Sequence, residues 1–288
     1  MNNKLIVGAS QTGPVMTEDP EAMLPAATKM IEEAAKRNVQ FVTFSELFMT
    51  PFFPNRLRQD FDHFFISPEG TLMGKLRDLS RQRGIATIWP FGERTPGGGY
   101  FNSALACDER GETLGIYRKT HIPAYFPDER EGGTGSYERL YFTPGPALPV
   151  FEWQGIKFGI QICYDRLFPE PSRALALKGA EVIFMPICYS TYSDPAHRST
   201  IWDVPLRSRA YENGVYVVAA NRVGQEGQRN HLGRSMVVDP TGAIVCEAGG
   251  DQEQLLVAKI DIERVRGDRK KIPWSRDRRI DLYEPLVS

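Results

Sequence analysis

The chain reads as an α/β protein, one domain of two sheets with outer helices. Three observations lead there. Strand and helix patterns alternate from the N-terminus, hairpin signals punctuate the middle and the C-terminal third, and no linker, fixed-period repeat or low-complexity segment separates two halves. At 288 residues the length allows two domains of about 150 residues but equally suits one large α/β unit.

The elements follow in order. Leu5 to Ala9 is strand-like, and Leu24, Ala27, Met30, Ile31, Ala34 and Ala35 recur at helical spacing until Arg37-Asn38. Phe41 to Phe44 is a short buried strand that delivers Ser45-Glu46. Leu72, Leu76 and Leu79 mark a helix closing at Gly84. Ile85 to Phe91 is a strand and Pro96 to Gly99 a turn. Asn102 to Cys107 is expected to pair with Thr113 to Tyr117 across Asp108-Glu109-Arg110-Gly111. Ile122 to Tyr137 mixes prolines, glycines and the charged run Asp128 to Glu131, which predicts a long loop. Strands are expected at Val150 to Trp153, Lys157 to Ile162, Val182 to Met185, Val215 to Ala220 and Leu255 to Ile260. Helices are expected at Pro169 to Lys178 and from about Pro205 to Asn213. A hairpin turns at Asp239-Pro240-Thr241-Gly242, and the tail from Arg264 is basic and irregular.

Composition excludes several classes of function. Hydrophobic residues at 41% and charged residues at 25% are ordinary for a globular protein and rule out disorder. The 35 basic and 36 acidic side chains leave a formal charge of −1, so no bulk field favours nucleic acid or an anionic membrane. The longest apolar run, Val215 to Ala220, is far short of the roughly 20 residues a spanning helix needs. No leader-like segment precedes the first strand, and four widely spaced cysteines, Cys107, Cys163, Cys188 and Cys246, suit reduced thiols in the cytoplasm.

Motif searches narrow the chemistry further. There is no Cys-x-x-Cys, no His-Glu-x-x-His and no Gly-x-Ser-x-Gly, and neither glycine cluster has phosphate-loop or dinucleotide spacing. A resident metal site is not expected. Cys163 stands apart from the other cysteines because it follows a strand and precedes a Pro169-led helix, a strand-to-turn position that exposes a nucleophile. Taken alone it reads as a small core hydrophobe. Glu46 and Lys119 also lie at strand exits, and three such groups can converge above a sheet. A carboxylate can deprotonate a thiol, and an ammonium can stabilise a thiolate and then an oxyanion.

Phe44-Ser45-Glu46-Leu47, Tyr117-Arg118-Lys119-Thr120-His121 and Gly159 to Asp165 together resemble the three catalytic blocks of the nitrilase superfamily. The likeness extends along nearly the whole chain, through Gly233-Arg234-Ser235 and Asp239 to Gly242. It implies a four-layer αββα sandwich over a single carbon-nitrogen hydrolase domain, residues 1–288, and a catalytic triad of Glu46, Lys119 and Cys163. A second catalytic glutamate of the family falls on Glu138. No metal or organic cofactor is implied. The family likeness also implies a homodimer or homotetramer, with the tail 264–288, including Trp274 and Ile280, at an interface.

Cys163-Tyr164-Asp165-Arg166-Leu167-Phe168-Pro169-Glu170 most resembles the carbamoylase branch, the N-carbamoyl-D-amino acid amidohydrolases. Arg166 could grip a substrate carboxylate through two charge-assisted bonds, or it could brace the loop through Asp165 or Glu170. Tyr164 would lend its backbone N–H to an oxyanion hole. Two departures from that branch, Leu167 in place of a second arginine and Ser136 in place of a histidine, bear on the substrate. An aliphatic amidase, an N-carbamoyl-β-alanine hydrolase and an N-carbamoylputrescine hydrolase are alternatives, the last expected to prefer an acid over Arg166. A non-enzymatic scaffold is the contrasting class.

Overall fold

The computed structural model describes residues 4–123, 136–191 and 194–286. Most of the expected long loop, with its charged run, lies outside the described residues. Two sheets stack face to face. In the first, the strands run in the order Gln254–Asp261, Lys4–Gln11, Phe41–Phe44, Ala86–Arg94, Tyr100–Cys107 and Thr113–Arg118, and the two-residue strand Phe65–Ile66 also pairs with Ala86–Arg94. In the second the order is Ile244–Glu247, Met236–Val238, Tyr216–Asn221, Val182–Ile187, Ile156–Ile160 and Val150–Trp153. Each sheet has a parallel centre, Lys4–Gln11 with Phe41–Phe44 with Ala86–Arg94 in one and Ile156–Ile160 with Val182–Ile187 with Tyr216–Asn221 in the other. Antiparallel strands flank both centres.

Side-chain alternation assigns the layers. Along Val182–Ile187, Val182 and Phe184 enter the core between the sheets while Ile183, Met185 and Ile187 face a helix layer. Strands buried on both faces lose their polar alternation, which is why this one reads as a continuous apolar run. Phe41 sits in the inter-sheet core with Trp153, Phe158 and Phe184 at ring-centroid distances of 5.3, 5.0 and 4.7 Å. Helices Leu24–Lys36 and Thr71–Arg83 cover the first sheet through Ala27, Met30, Ile31, Ala34, Met73 and Leu76. Helices Pro169–Leu177 and Asp203–Asn213 cover the second through Leu175, Leu206 and Ala210. The result is an αββα sandwich.

Most expected elements are found near their expected ends. The helix Thr71–Arg83 stops at Gly84, whose φ of +65° is the left-handed conformation that glycine adopts without a Cβ clash. The hairpin at 239–242 forms, with Asp239 Oδ1 accepting from the N–H groups of Thr241 and Ala243.

The tail departs from expectation. Ile262–Lys271 is an α-helix capped by Asp261, whose Oδ1 accepts the N–H of Glu263 at 3.1 Å. Its polar sequence hides the pattern because only Ile262 and Val265 are buried. Burial of two such side chains contributes about 1.5–3 kcal/mol each, more than exposed ion pairs of about 0.2–1 kcal/mol such as Arg266 with Glu263. Trp274, expected at a partner interface, packs partly buried against this chain's own core, with the Arg173 guanidinium 4.2 Å above its ring. Ile280 is 70% exposed. The short helices Glu138–Tyr141 and Pro195–Thr200, the strand Phe65–Ile66 and the hairpin of Val223–Glu226 with Arg229–Leu232 were also not anticipated. Among the described residues, no helix is long and apolar enough to cross a membrane.

Candidate active site

The site lies where three strands of the two sheets end. Glu46 is two residues beyond Phe41–Phe44, and the turn that carries it continues into Leu47 at φ +50°. Lys119 directly follows Thr113–Arg118, and its N–H extends the ladder to Asn102 O at 2.8 Å. Its carbonyl accepts the N–H of Gly145 at 2.8 Å. A Cβ on Gly145 would stand 2.1 Å from Arg118 O, so this close approach of two backbones requires glycine. Cys163 follows Ile156–Ile160 and opens the tight helical turn Cys163–Leu167 with φ +46°, a strained conformation of the kind that clusters at functional sites.

Asp165 holds that turn. Its carboxylate accepts from Ile162 N at 2.9 Å, Tyr117 Oη at 2.7 Å, Thr120 Oγ1 at 3.0 Å and His121 N at 2.9 Å. Burial, with the Asp165 charge adding to it, holds the Tyr117 phenol well above its ordinary pKa, so Tyr117 stays a donor. One buried carboxylate thus ties the cysteine turn to the segment carrying Lys119.

The three groups converge. Lys119 Nζ, fully enclosed, donates to Glu46 Oε1 at 2.8 Å and to Glu138 Oε2 at 2.6 Å. Asn102 Nδ2 donates to the same Glu46 oxygen at 2.8 Å, while Glu46 Oε2 is buried with no hydrogen-bond partner. Glu138 Oε1 accepts from Ser136 Oγ at 2.8 Å, so the serine that stands where the carbamoylase branch has histidine supplies a donor. Burial presses the Lys119 pKa down, but the Glu138 and Glu46 carboxylates more than offset it and hold the ammonium well above its usual range. Burial, reinforced by the Glu46 charge, raises Glu138 above the usual carboxylate range.

The surroundings of Cys163 act on its ionisation. Burial first, then the Glu46 charge, pushes its thiol up to about 11, against smaller opposing effects of Arg166 and Lys119. The two carboxylates that hold the ammonium also offset its field, so its effect on the sulfur is smaller than that of burial and of Glu46. The resting nucleophile is a neutral thiol that feels the Glu46 charge.

A cavity of about 600 Å³ opens over Cys163 and is walled by Glu138, Tyr164, Arg166, Cys188 and Tyr189 among others. Arg166 is 4% exposed. Its Nη1 donates to Cys163 O at 2.6 Å and lies 3.6 Å from Cys163 Sγ, and its guanidinium sits 5.0 Å over the Tyr189 ring. Neither Asp165 nor Glu170 pairs with it, and its buried Nε has no hydrogen-bond partner. Arg166 therefore braces the turn through the Cys163 carbonyl and not through Asp165 or Glu170. Arg198 and Arg229 also line the cavity, over the rings of Tyr189 and Phe52. Among the described lining residues the one acid is Glu138, which Lys119 engages. Tyr164 lies beside Cys163 on the cavity wall, its ring edge-on to Phe168.

Sequence reasoning missed Asn102, a fully buried amide in the strand Tyr100–Cys107, and passed over Cys188 as ordinary core. Cys188 is buried but lines the cavity, with Sγ 3.7 Å from His231 Nδ1. Among the described residues no three His, Cys, Asp or Glu side chains are grouped as metal ligands.

A two-sheet sandwich that gathers a half-buried thiol, two buried carboxylates and a buried ammonium defines the class, a hydrolase of the nitrilase superfamily acting on non-peptide carbon-nitrogen bonds. Residues 6–270 match the carbon-nitrogen hydrolase family, and the chain belongs to it. It is 31% identical over 284 residues to the N-carbamoylputrescine amidase of Solanum lycopersicum, covering 94% of this chain and 92% of that one. The crystal structure of a carbon-nitrogen hydrolase from Helicobacter pylori G27 superposes with a TM-score of 0.88 at 28% identity, covering 99% of each chain. An amidase from Nesterenkonia sp. AN1, in which acrylamide has added to the active-site cysteine, superposes with a TM-score of 0.78 at 26% identity, covering 98% of this chain and 99% of that one.

Proposed function

We propose that this hydrolase cleaves the carbamoyl group of an N-carbamoyl amino acid, yielding the amino acid, carbon dioxide and ammonia. The observation that carries the reading is Arg166, a buried guanidinium beside the nucleophile with no carboxylate partner among the described residues. Burying such a charge unpaired is costly, and a substrate carboxylate accepting a charge-assisted pair relieves that cost. In such substrates the carboxylate lies a few bonds from the scissile carbon, which suits an arginine next to Cys163. The N-carbamoylputrescine relatives favour a second reading, but a putrescine ammonium would face Arg166 beside the nucleophile.

The mechanism follows from the site. Glu46 takes the thiol proton through its unpartnered Oε2, and the sulfur attacks the ureido carbon. Lys119 and the Tyr164 N–H hold the oxyanion, and Glu138 keeps the ammonium in place. Ammonia departs with the proton returned by Glu46. Water deprotonated by Glu46 then cleaves the S-thiocarbamate, the proton returns to the Cys163 sulfur, and the released carbamate decomposes to amino acid and carbon dioxide. No step calls for a metal or organic cofactor.

The test is ammonia release from N-carbamoyl D- and L-amino acids, N-carbamoyl-β-alanine, N-carbamoylputrescine, simple amides and nitriles. For the best carboxylate substrate, Arg166→Ala is expected to lose about 1.5–3 kcal/mol, or roughly 10- to 150-fold in kcat/KM, and much less for the matching uncharged amide. Equal losses on both substrates would place an ordinary amidase ahead of a carbamoylase.

A homo-oligomer built on a dimer belongs to the same proposal. Ile272, Ile280, Leu282 and Leu286 are each more than 60% exposed on one C-terminal segment, an apolar surface that suits a partner. Light scattering at micromolar concentration is expected to give at least twice the 32.5 kDa chain mass; a monomer mass refutes it.

A further inference from the structure

Behind Glu46 lies a fully buried arginine that the chemistry above does not use. Arg222 follows the strand Tyr216–Asn221, and its Nη2 donates to two consecutive carbonyls, Glu46 O at 3.0 Å and Leu47 O at 2.7 Å. Leu47 is the residue at φ +50°, so the guanidinium clasps the backbone where the turn is strained. Its Nη1 donates to Glu226 Oε1 at 2.6 Å. Glu226 also accepts Val15 N at 2.7 Å and, through Oε2, Phe52 N at 3.1 Å. Burial resists ionisation of Glu226, but the Arg222 charge and His231 overcome it and hold the carboxyl far below its usual range, so both members of the pair are charged. Phe52 itself lines the cavity.

We propose that Arg222 is a positioning residue for Glu46, clasping the backbone of the strained turn so that the unpartnered Oε2 faces Cys163, with Glu226 as its anchor and the link to the Phe52 wall. The proposal rests on the reading of Glu46 as the base. A fork of coplanar donors is needed to hold two carbonyls and a carboxylate at once, and lysine keeps the charge but not the fork. A base displaced by about 1 Å costs up to roughly a hundredfold.

The experiment compares Arg222→Lys in two backgrounds, wild type and Glu46→Gln. In the wild-type background kcat is expected to fall about 10- to 100-fold with KM within about threefold, and the rate of Cys163 alkylation by iodoacetamide to shift by more than threefold, because the Glu46 charge that acts on the thiol has moved. In the Glu46→Gln background, Arg222→Lys is expected to leave the alkylation rate within about twofold, because a residue acting only through Glu46 has nothing left to position. The same shift in both backgrounds overturns the proposal. Should Glu46→Gln alone leave turnover and alkylation unchanged, the base assignment fails instead, which separates the two failures. If Arg222→Lys does not fold, Glu226→Gln, which keeps an oxygen for Arg222 but loses the counter-charge, goes through the same comparison with the same deciding outcomes.

Discussion

Cys163→Ala is expected to abolish ammonia release, with a loss on the order of 10⁴-fold or more, while the fold survives. The sulfur is the sole nucleophile in the mechanism derived from the site. Cys188 shares the cavity, but burial holds its thiol well above the ordinary range, and its sulfur faces His231. The survival of the fold follows from the location of the side chain. The cysteine turn is held by Asp165 through backbone and hydroxyl donors, not by the thiol. Retention of more than about a tenth of wild-type turnover would exclude covalent catalysis at Cys163, since the residual expected from binding and oxyanion stabilisation alone is far smaller. Circular dichroism and thermal melting of the variant check the second half of the expectation.

Glu46→Gln should be nearly as damaging, about 10²- to 10⁴-fold in turnover, the range for loss of a general base. Glutamine can still accept from Lys119 and Asn102 through its oxygen, but its amide nitrogen cannot take the thiol proton. A second readout moves the other way. The Glu46 charge adds to burial in raising the Cys163 thiol to about 11, so its removal should let the thiolate form at a lower pH. The sign follows from the charge, because an anion beside a thiol disfavours its ionised form and neutralising that anion lowers the pKa. The ultraviolet thiolate absorbance of Glu46→Gln, taken as a difference from the same variant lacking Cys163, should therefore rise at lower pH than in wild type. Turnover within tenfold of wild type, or a thiolate that forms no earlier, would remove Glu46 from the role of base.

The legible parts of the chain were those whose pattern survives in one dimension. Helices Leu24–Lys36 and Thr71–Arg83 bury one face each and show the 3.6-residue period. Val182–Ile187 and Tyr216–Asn221 are buried on both faces, and their unbroken apolar runs identified them as strands. The tail helix Ile262–Lys271 escaped because two buried residues carry no readable period. The hairpin Val223–Leu232 escaped because its strands are built largely of Gly, Gln, Glu, Arg, Asn and His, whose pairing is decided by Glu226 and His231 turning inward.

The site divides in the same way. Residue types at strand exits named Glu46, Lys119 and Cys163 as partners, since strand ends in an α/β sheet project toward a common edge. Composition and spacing by themselves determined an α/β protein with a candidate thiol, carboxylate and ammonium. Only the tertiary structure decided that Lys119 is clamped between Glu46 and Glu138, that one oxygen of Glu46 is left without a partner, that Asp165 holds the cysteine turn instead of pairing with Arg166, and that Arg222 clasps the turn of the base. The reason is one of range. Period and propensity are properties of neighbours along the chain, whereas Glu46 meets Lys119 across 73 positions and Arg222 reaches Glu46 across 176. The protonation and pairing of each such group are set by which charges and dipoles two packed sheets bring within about 3 Å of it.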